Sequence, residues 1–150
     1  MSPTYWASAT DMSGPTLAFH HLGLLTGQPD LARRRLQRLG YTCGAETFDP
    51  LQDVDLCMCV GAPPEPAIEL VSPRPSNLGL SRLLRRRDDC IYHVCYTVSA
   101  FAEALEQLAG EGQERVVQIV EPKSAVLFGG ARVMFVSVPG MGLVELLERA

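Results

Sequence analysis

At 150 residues, 47% of them hydrophobic, the chain is long enough for one domain with a substantial core, and wholesale disorder is disfavoured. A net charge of −4 with no long basic tract argues against nucleic acid as the main partner, and no apolar run reaches the roughly 18 residues of a membrane span. The opening Met1-Ser-Pro-Thr-Tyr-Trp-Ala lacks the basic start and apolar centre of a signal peptide, so a cytoplasmic location is the default expectation.

Residues 1–16, rich in Ser, Thr, Pro and Gly, read as an N-terminal arm, with Tyr5 and Trp6 as its candidate packing residues. A single domain follows over 17–150, made of modules 17–73 and 91–148 with a connector at 74–90. Leu17 to Leu25 predicts a first strand. Gly27-Gln-Pro-Asp30 starts a helix whose apolar positions are Leu31, Leu36 and Leu39, with Arg33, Arg34, Arg35 and Arg38 mostly on the wet side. Gly40 ends it. Tyr41 to Thr47 predicts a short strand, Phe48-Asp-Pro50 a turn, and Val54 to Val60 and Ala67 to Val71 two further strands. In the connector, Leu80, Leu83 and Leu84 suggest a short helix.

The second module repeats the order. Tyr92 to Val98 predicts a strand. Ser99 predicts the cap of a helix through Ala109, with Glu103 as its capping partner and Phe101, Ala104, Leu105 and Leu108 as its apolar stripe. Arg115 to Val120 predicts a strand, Glu121-Pro-Lys-Ser124 through Gly130 a loop, and Arg132 to Val138 and Leu143 to Leu147 the last two strands. The pattern is βαβββ, twice, an α+β architecture of two tandem modules forming a curved mixed sheet.

The repetition extends to chemistry. His21 and Glu69 stand at nearly the separation of His93 and Glu145. Each His opens an apolar run, and each Glu lies inside one, Ile68-Glu-Leu-Val71 and Val144-Glu-Leu-Leu147. A carboxylate amid Ile, Leu and Val needs a compensating partner. Two imidazoles and two carboxylates suit one divalent metal ion: zinc, nickel, cobalt, manganese or ferrous iron. Two sheets joined edge to edge would gather all four around a metal-binding cavity. Against this stand plainer readings: His21 as a strand end, Glu69 on an edge strand, Glu145 as a solvated charge, a part better suited to Glu148. His20 is expected to point away from His21 by strand alternation.

The five cysteines are an odd count without framework spacing, so reduced thiols are expected, with Cys57 and Cys59 filling core on one strand face. Arg85-Arg-Arg87 is read as a solvated loop in preference to a phosphate site. Lys123, the only lysine, is a candidate contact for a substrate carboxylate. Cys95 shares the face of His93 and is a candidate cavity residue. Phe128, a further candidate substrate contact, precedes Gly129-Gly130, which fit either a mobile lid or a hairpin turn.

These pieces together resemble the vicinal oxygen chelate superfamily, which includes glyoxalase I, methylmalonyl-CoA epimerases and extradiol dioxygenases. The resemblance spans about residues 17–148 and is nearest to the epimerases. It rests on His21-Leu-Gly, Ile68-Glu-Leu-Val-Ser-Pro73, His93-Val-Cys-Tyr-Thr-Val98, Glu121-Pro-Lys123, Gly129-Gly-Ala-Arg-Val-Met-Phe135 and Gly142-Leu-Val-Glu-Leu-Leu147. It implies His21, Glu69, His93 and Glu145 as metal ligands. It also implies an epimerase or isomerase acting through a metal-stabilised enolate on a small carbonyl or acyl-thioester substrate. Glu145 is the first candidate for the catalytic base and Glu69 the second. A glyoxalase-like lyase and a metal-free small-molecule-binding or resistance module are the alternatives. One departure stands out: the epimerase pattern has a second carboxylate where this chain has Leu56, and register leaves open whether Leu56 or the adjacent Asp55 takes that place. A homodimer is expected because modular sheets leave edges that need cover.

Overall fold

The computed structural model describes residues 17–149; the expected N-terminal arm lies outside them. Nine strands among these residues form one curved, unclosed sheet, and three helices pack on it. The strands are β1 (Ala18–Leu25), β2 (Thr42–Cys43), β3 (Thr47–Asp49), β4 (Val54–Val60), β5 (Ile68–Pro73), β6 (Cys90–Val98), β7 (Val117–Ser124), β8 (Arg132–Val138) and β9 (Gly142–Glu148). The helices are α1 (Pro29–Arg38), α2 (Leu78–Arg87) and α3 (Phe101–Ala109). The sheet order is β2-β4-β5-β1-β6-β9-β8-β7, with β3 beside β4.

Two parallel pairs carry the design. β1 runs parallel to β5, and β6 parallel to β9, while β1 and β6 meet antiparallel at the centre. Each half thus brings its first and last strands together, and the halves join edge to edge. Alternation then sorts the side chains. On the outer face, α3 covers Met134, Val136, Val144 and Leu146, and α1 places Leu36 among Tyr41, Cys57, Cys59 and Leu70. On the inner face, α2 lays Leu80, Leu83 and Leu84 on Leu25, Val54, Leu56 and Val71.

The helix ends follow local chemistry, with one correction. Pro29 opens α1, Asp30 sits in its first turn, and Arg35 and Arg38 sit in its last, complementing the helix dipole. Asn77 caps α2 by accepting from Leu80 N–H at 3.1 Å. Arg85, Arg86 and Arg87 form the last turn of α2 rather than a loop. Ser99 does not cap α3. Its hydroxyl turns to Glu103, and the first N–H of α3, on Phe101, donates to Glu148 Oε2 at 3.1 Å. Glu148 also pairs with Arg132, which holds its carboxyl below the usual range, so it is not the free terminal charge expected.

Other departures are local. The strand expected over Tyr41–Thr47 is two short pieces, β2 and β3, and Phe48 and Asp49 belong to β3 rather than a turn. Glu121 to Ser124 continue β7 instead of forming a loop. The reduced-thiol expectation fails for one pair: Cys43 and Cys59 face each other in the β2–β4 register and form a disulfide. Cys57, Cys90 and Cys95 are free. Sequence spacing could not reveal the pair, because antiparallel register alone makes the two residues opposite neighbours.

Candidate functional site

His21 on β1, Glu69 on β5, His93 on β6 and Glu145 on β9 converge on the inner face where the halves join. All four are buried, with at most 3% of each exposed. The His21 and His93 Nε2 atoms are 3.3 Å apart. His21 Nε2 lies 3.8 Å from both Glu69 Oε2 and Glu145 Oε1, and His93 Nε2 lies 3.6 Å from Glu145 Oε2. One donor atom from each residue falls within 4.8 Å of every other.

Local sequence explains the placement. β1 and β6 are antiparallel with Gly23 opposite His93, and the His93 ring lies over that glycine. A Cβ at position 23 would meet His93 Cε1 at 2.1 Å. The absence of a side chain at Gly23 therefore lets the imidazole reach inward, a role the sequence reading did not assign to His21-Leu-Gly. On β9, Glu145 and Leu147 point inward while Val144 and Leu146 enter the outer core. Cys95 is fully buried and stands opposite Glu145 in the β6–β9 register, its thiol close to that carboxylate.

Burial dominates the electrostatics. It lowers both imidazoles to about 3; for His21 the neighbouring His93 and His20 add to the effect. It raises Glu69 well above the carboxylate range, reinforced by the charges of Glu145 and Asp49. It raises Glu145 to about 7, opposed by the neighbouring Cys95 thiol. Both imidazoles are thus neutral near pH 7, with lone pairs available. Their separations from the carboxylates exceed the roughly 3.2 Å limit of a good hydrogen bond, so the imidazoles do not satisfy the carboxylates; only the two Nε2 atoms are within reach of each other. Glu145 Oε1 and His93 Nδ1 are buried without any hydrogen-bond partner.

This arrangement fits a cation. Two donors each about 2.1 Å from a shared ion stand roughly 3.0–3.4 Å apart in octahedral or tetrahedral geometry. Four of the six donor pairs, at 3.3–3.8 Å, need only a small contraction, and all six lie within 4.8 Å. Neutral imidazole and carboxylate are the donors that zinc, cobalt, nickel, manganese and ferrous iron accept.

A cavity of about 310 Å³ is lined by Tyr92 and Phe135, whose rings stand edge-on to His93 at 4.6 and 5.3 Å and separate the cavity from the four donors, none of which lines it. Lys123 lines it too, its Nζ donating to the Leu51 carbonyl at 3.2 Å. Tyr92, Phe135 and the buried Asp49, whose carboxylate is held by Leu51, Gln52 and the Gln52 amide, were missed in the sequence. Nothing in their local pattern distinguishes them from core or turn residues. Phe128, in the short helical turn Val126–Phe128, stacks on His21 with centroids 5.7 Å apart. Leu56, not Asp55, faces inward: Leu56 packs with Leu25 and Val71, while Asp55 turns outward to Arg74 at 2.7 Å.

Comparison with known proteins agrees with this architecture. The sequence model of the Glyoxalase/Bleomycin resistance protein/Dioxygenase superfamily matches residues 20–135. The chain belongs to this superfamily. A search of curated proteins finds no match. Among solved structures, the superfamily member here is similar to methylmalonyl-CoA epimerase from Mycobacterium tuberculosis, with a TM-score of 0.77 and 19% identity over 95% of this chain and 94% of that one. A Streptomyces coelicolor methylmalonyl-CoA epimerase variant in complex with 2-nitronate-propionyl-CoA gives 0.71 and 17% identity, covering 90% of this chain and 99% of that one. A methylmalonyl-CoA epimerase in complex with methylmalonyl-CoA and NH4+ gives 0.70 and 16%, covering 89% and 95%. At these identities the likeness is one of fold. No described helix is long and apolar enough to cross a membrane.

Proposed function

We propose that this chain is a divalent-metal-dependent enzyme that moves a proton at the carbon next to a carbonyl, an isomerase or epimerase of a small carbonyl or acyl-thioester compound. One observation carries the reading: four buried donors, two imidazoles and two carboxylates, face one point, and a carboxylate oxygen among them has no partner. His21, Glu69, His93 and Glu145 would hold the ion. When bound, such an ion polarises a substrate carbonyl and makes the neighbouring C–H more acidic.

The chain's own residues supply the remainder. Glu145 is the base that takes the proton, with the buried Cys95 beside it in the strand register. Glu69 is the second candidate. Tyr92 and Phe135 restrict water beside His93, and the mostly apolar cavity they line admits a small acyl group. Lys123 at the same cavity is the candidate contact for a substrate carboxylate or phosphate. The inward position of Leu56 favours proton transfer by one base over an exchange between two, which brings a glyoxalase-like lyase close to the leading reading. Cover for the open sheet edge at β7 would come from a second copy of the chain, as a homodimer.

Metal analysis of the purified protein tests the site. One equivalent of divalent ion, lost in both His21→Ala and Glu145→Ala, is expected. Turnover of a 2-substituted acyl thioester or a thiohemiacetal in deuterated water, followed by mass spectrometry, tests the chemistry. Label at the carbon next to the carbonyl is expected. A protein that binds such compounds without metal and without exchange is a binding module instead.

A further inference from the structure

Strand alternation should send His20 and His21 to opposite faces, but the structure does not. The β1–β6 register slips between Phe19 and His21, and a slip of this kind turns consecutive side chains toward one side. His20 Nδ1 then lies 2.7 Å from His21 Nδ1. The His20 ring packs edge-on against Phe128 at 5.3 Å and lines a second, more open cleft with Phe128, Gly129, Gly130, Leu147 and Arg149.

We infer that His20 is a positioning residue that sets the tautomer and orientation of His21. The inference rests on the metal-site reading above. His21 turns Nε2 toward His93, Glu69 and Glu145. A nitrogen that donates its lone pair to a cation carries no proton, so the neutral ring must hold its proton on Nδ1. At 2.7 Å the group that receives this N–H is His20 Nδ1, and His20 then carries its own proton on Nε2. Phe128 pins both rings, edge-on to His20 and stacked on His21. A hydrogen-bond acceptor behind a ligating imidazole makes it a better donor and fixes its plane. The other half has no counterpart, because His93 Nδ1 is buried and unpartnered. Cys95 also lies within ligand distance of His20 and His21, which makes sulfur ligation the competing arrangement.

Cobalt titration of the full chain tests the inference, read by visible absorption, with folding checked by circular dichroism. His20→Leu removes the acceptor, while His20→Asn offers an amide oxygen near the place of Nδ1. The Leu variant is expected to bind cobalt roughly 10–100-fold more weakly, the cost typical of losing such a support, and the Asn variant to recover most of that loss. In proton NMR of the cobalt form, the exchangeable imidazole N–H of His21 should be slow to exchange in the wild type and Asn variant and fast in the Leu variant. Unchanged affinity in the Leu variant, or equal loss in both variants, overturns the role of His20. A sulfur-to-cobalt charge-transfer band overturns it too, by assigning the ion to Cys95. A wild type that takes up no cobalt, nickel, zinc, manganese or iron overturns the metal site itself, a result the variants cannot imitate.

Discussion

His21 and His93 occupy equivalent places in the two halves, each on the first strand of its half and each close to a parallel strand that carries a glutamate. Their surroundings differ. His21 has a polar neighbour at its outer nitrogen and Phe128 stacked on its ring, while His93 has no partner at Nδ1 and lies on Gly23 between Tyr92 and Phe135. The glutamates differ too: Glu145 lies opposite the Cys95 thiol, and Glu69 feels the charge of buried Asp49. One half holds its imidazole by a hydrogen bond and the other by shape. The repeated topology sets where the four donors meet, and the unrepeated neighbours set how each is held and what it can do.

The sharpest way to break the comparison is to remove one carboxylate at a time. Glu145→Gln is expected to lower turnover roughly 10²–10⁴-fold, the usual worth of a general base, while Glu69→Gln, with cobalt added to saturation, should cost less. Equal losses in steady-state assays would erase the distinction between the two glutamates.

Gly23→Ala tests support by shape. Its Cβ would overlap the His93 ring, so the ring or the strand must move. A loss of about 1–3 kcal/mol in chemical denaturation is expected, the range for overpacking, together with loss of cobalt uptake. A variant that binds cobalt normally would show that His93 does not need the bare backbone beneath it.

Acid and base act on the two kinds of donor in opposite directions. With its folded-state value raised from 4.5 to about 7, Glu145 makes the metal-free protein less stable as pH rises across that interval, because the unfolded chain releases the proton first. His21 and His93, lowered from 6.5 to about 3, make it less stable as pH falls through that interval, because the unfolded imidazoles gain protons the buried ones refuse. An ion must displace the carboxyl protons to bind. Its stabilising effect is therefore expected to be larger near pH 8 than near pH 5, measured as the cobalt-induced rise in Tm. Equal rises would mean that the ion does not displace carboxyl protons when it binds.

The smallest effect belongs to the outer face. Glu148→Ala removes the cap from the first turn of α3 and should cost about 1 kcal/mol, leaving cobalt affinity untouched. A change in affinity would tie the α3 side of the sheet to the site.

Much of this was legible along the chain because it is patterned. β4 and β8 follow from short apolar runs bounded by turn residues, and α1 from Pro29, Leu36 and Gly40, although Leu39 falls beyond the helix and is exposed. Eight of the nine strands follow from a βαβββ order that occurs twice; the ninth arises because the strand expected over 41–47 is two pieces. The paired His and Glu stood out for a related reason: an ionisable residue repeated inside apolar runs is costly unless it has partners. Other features do not lie in periodicity at all. The Cys43–Cys59 pair depends on the register between two strands. The inward turn of Leu56 depends on which face β4 offers. His20 beside His21 depends on one slipped residue in β1, and the cap on α3 comes from a glutamate 47 positions away. Local pattern determines which residues are apolar and which strands they form. Register, bulges and long-range contacts exist only when strands pair, so only the tertiary structure decided which side chains meet.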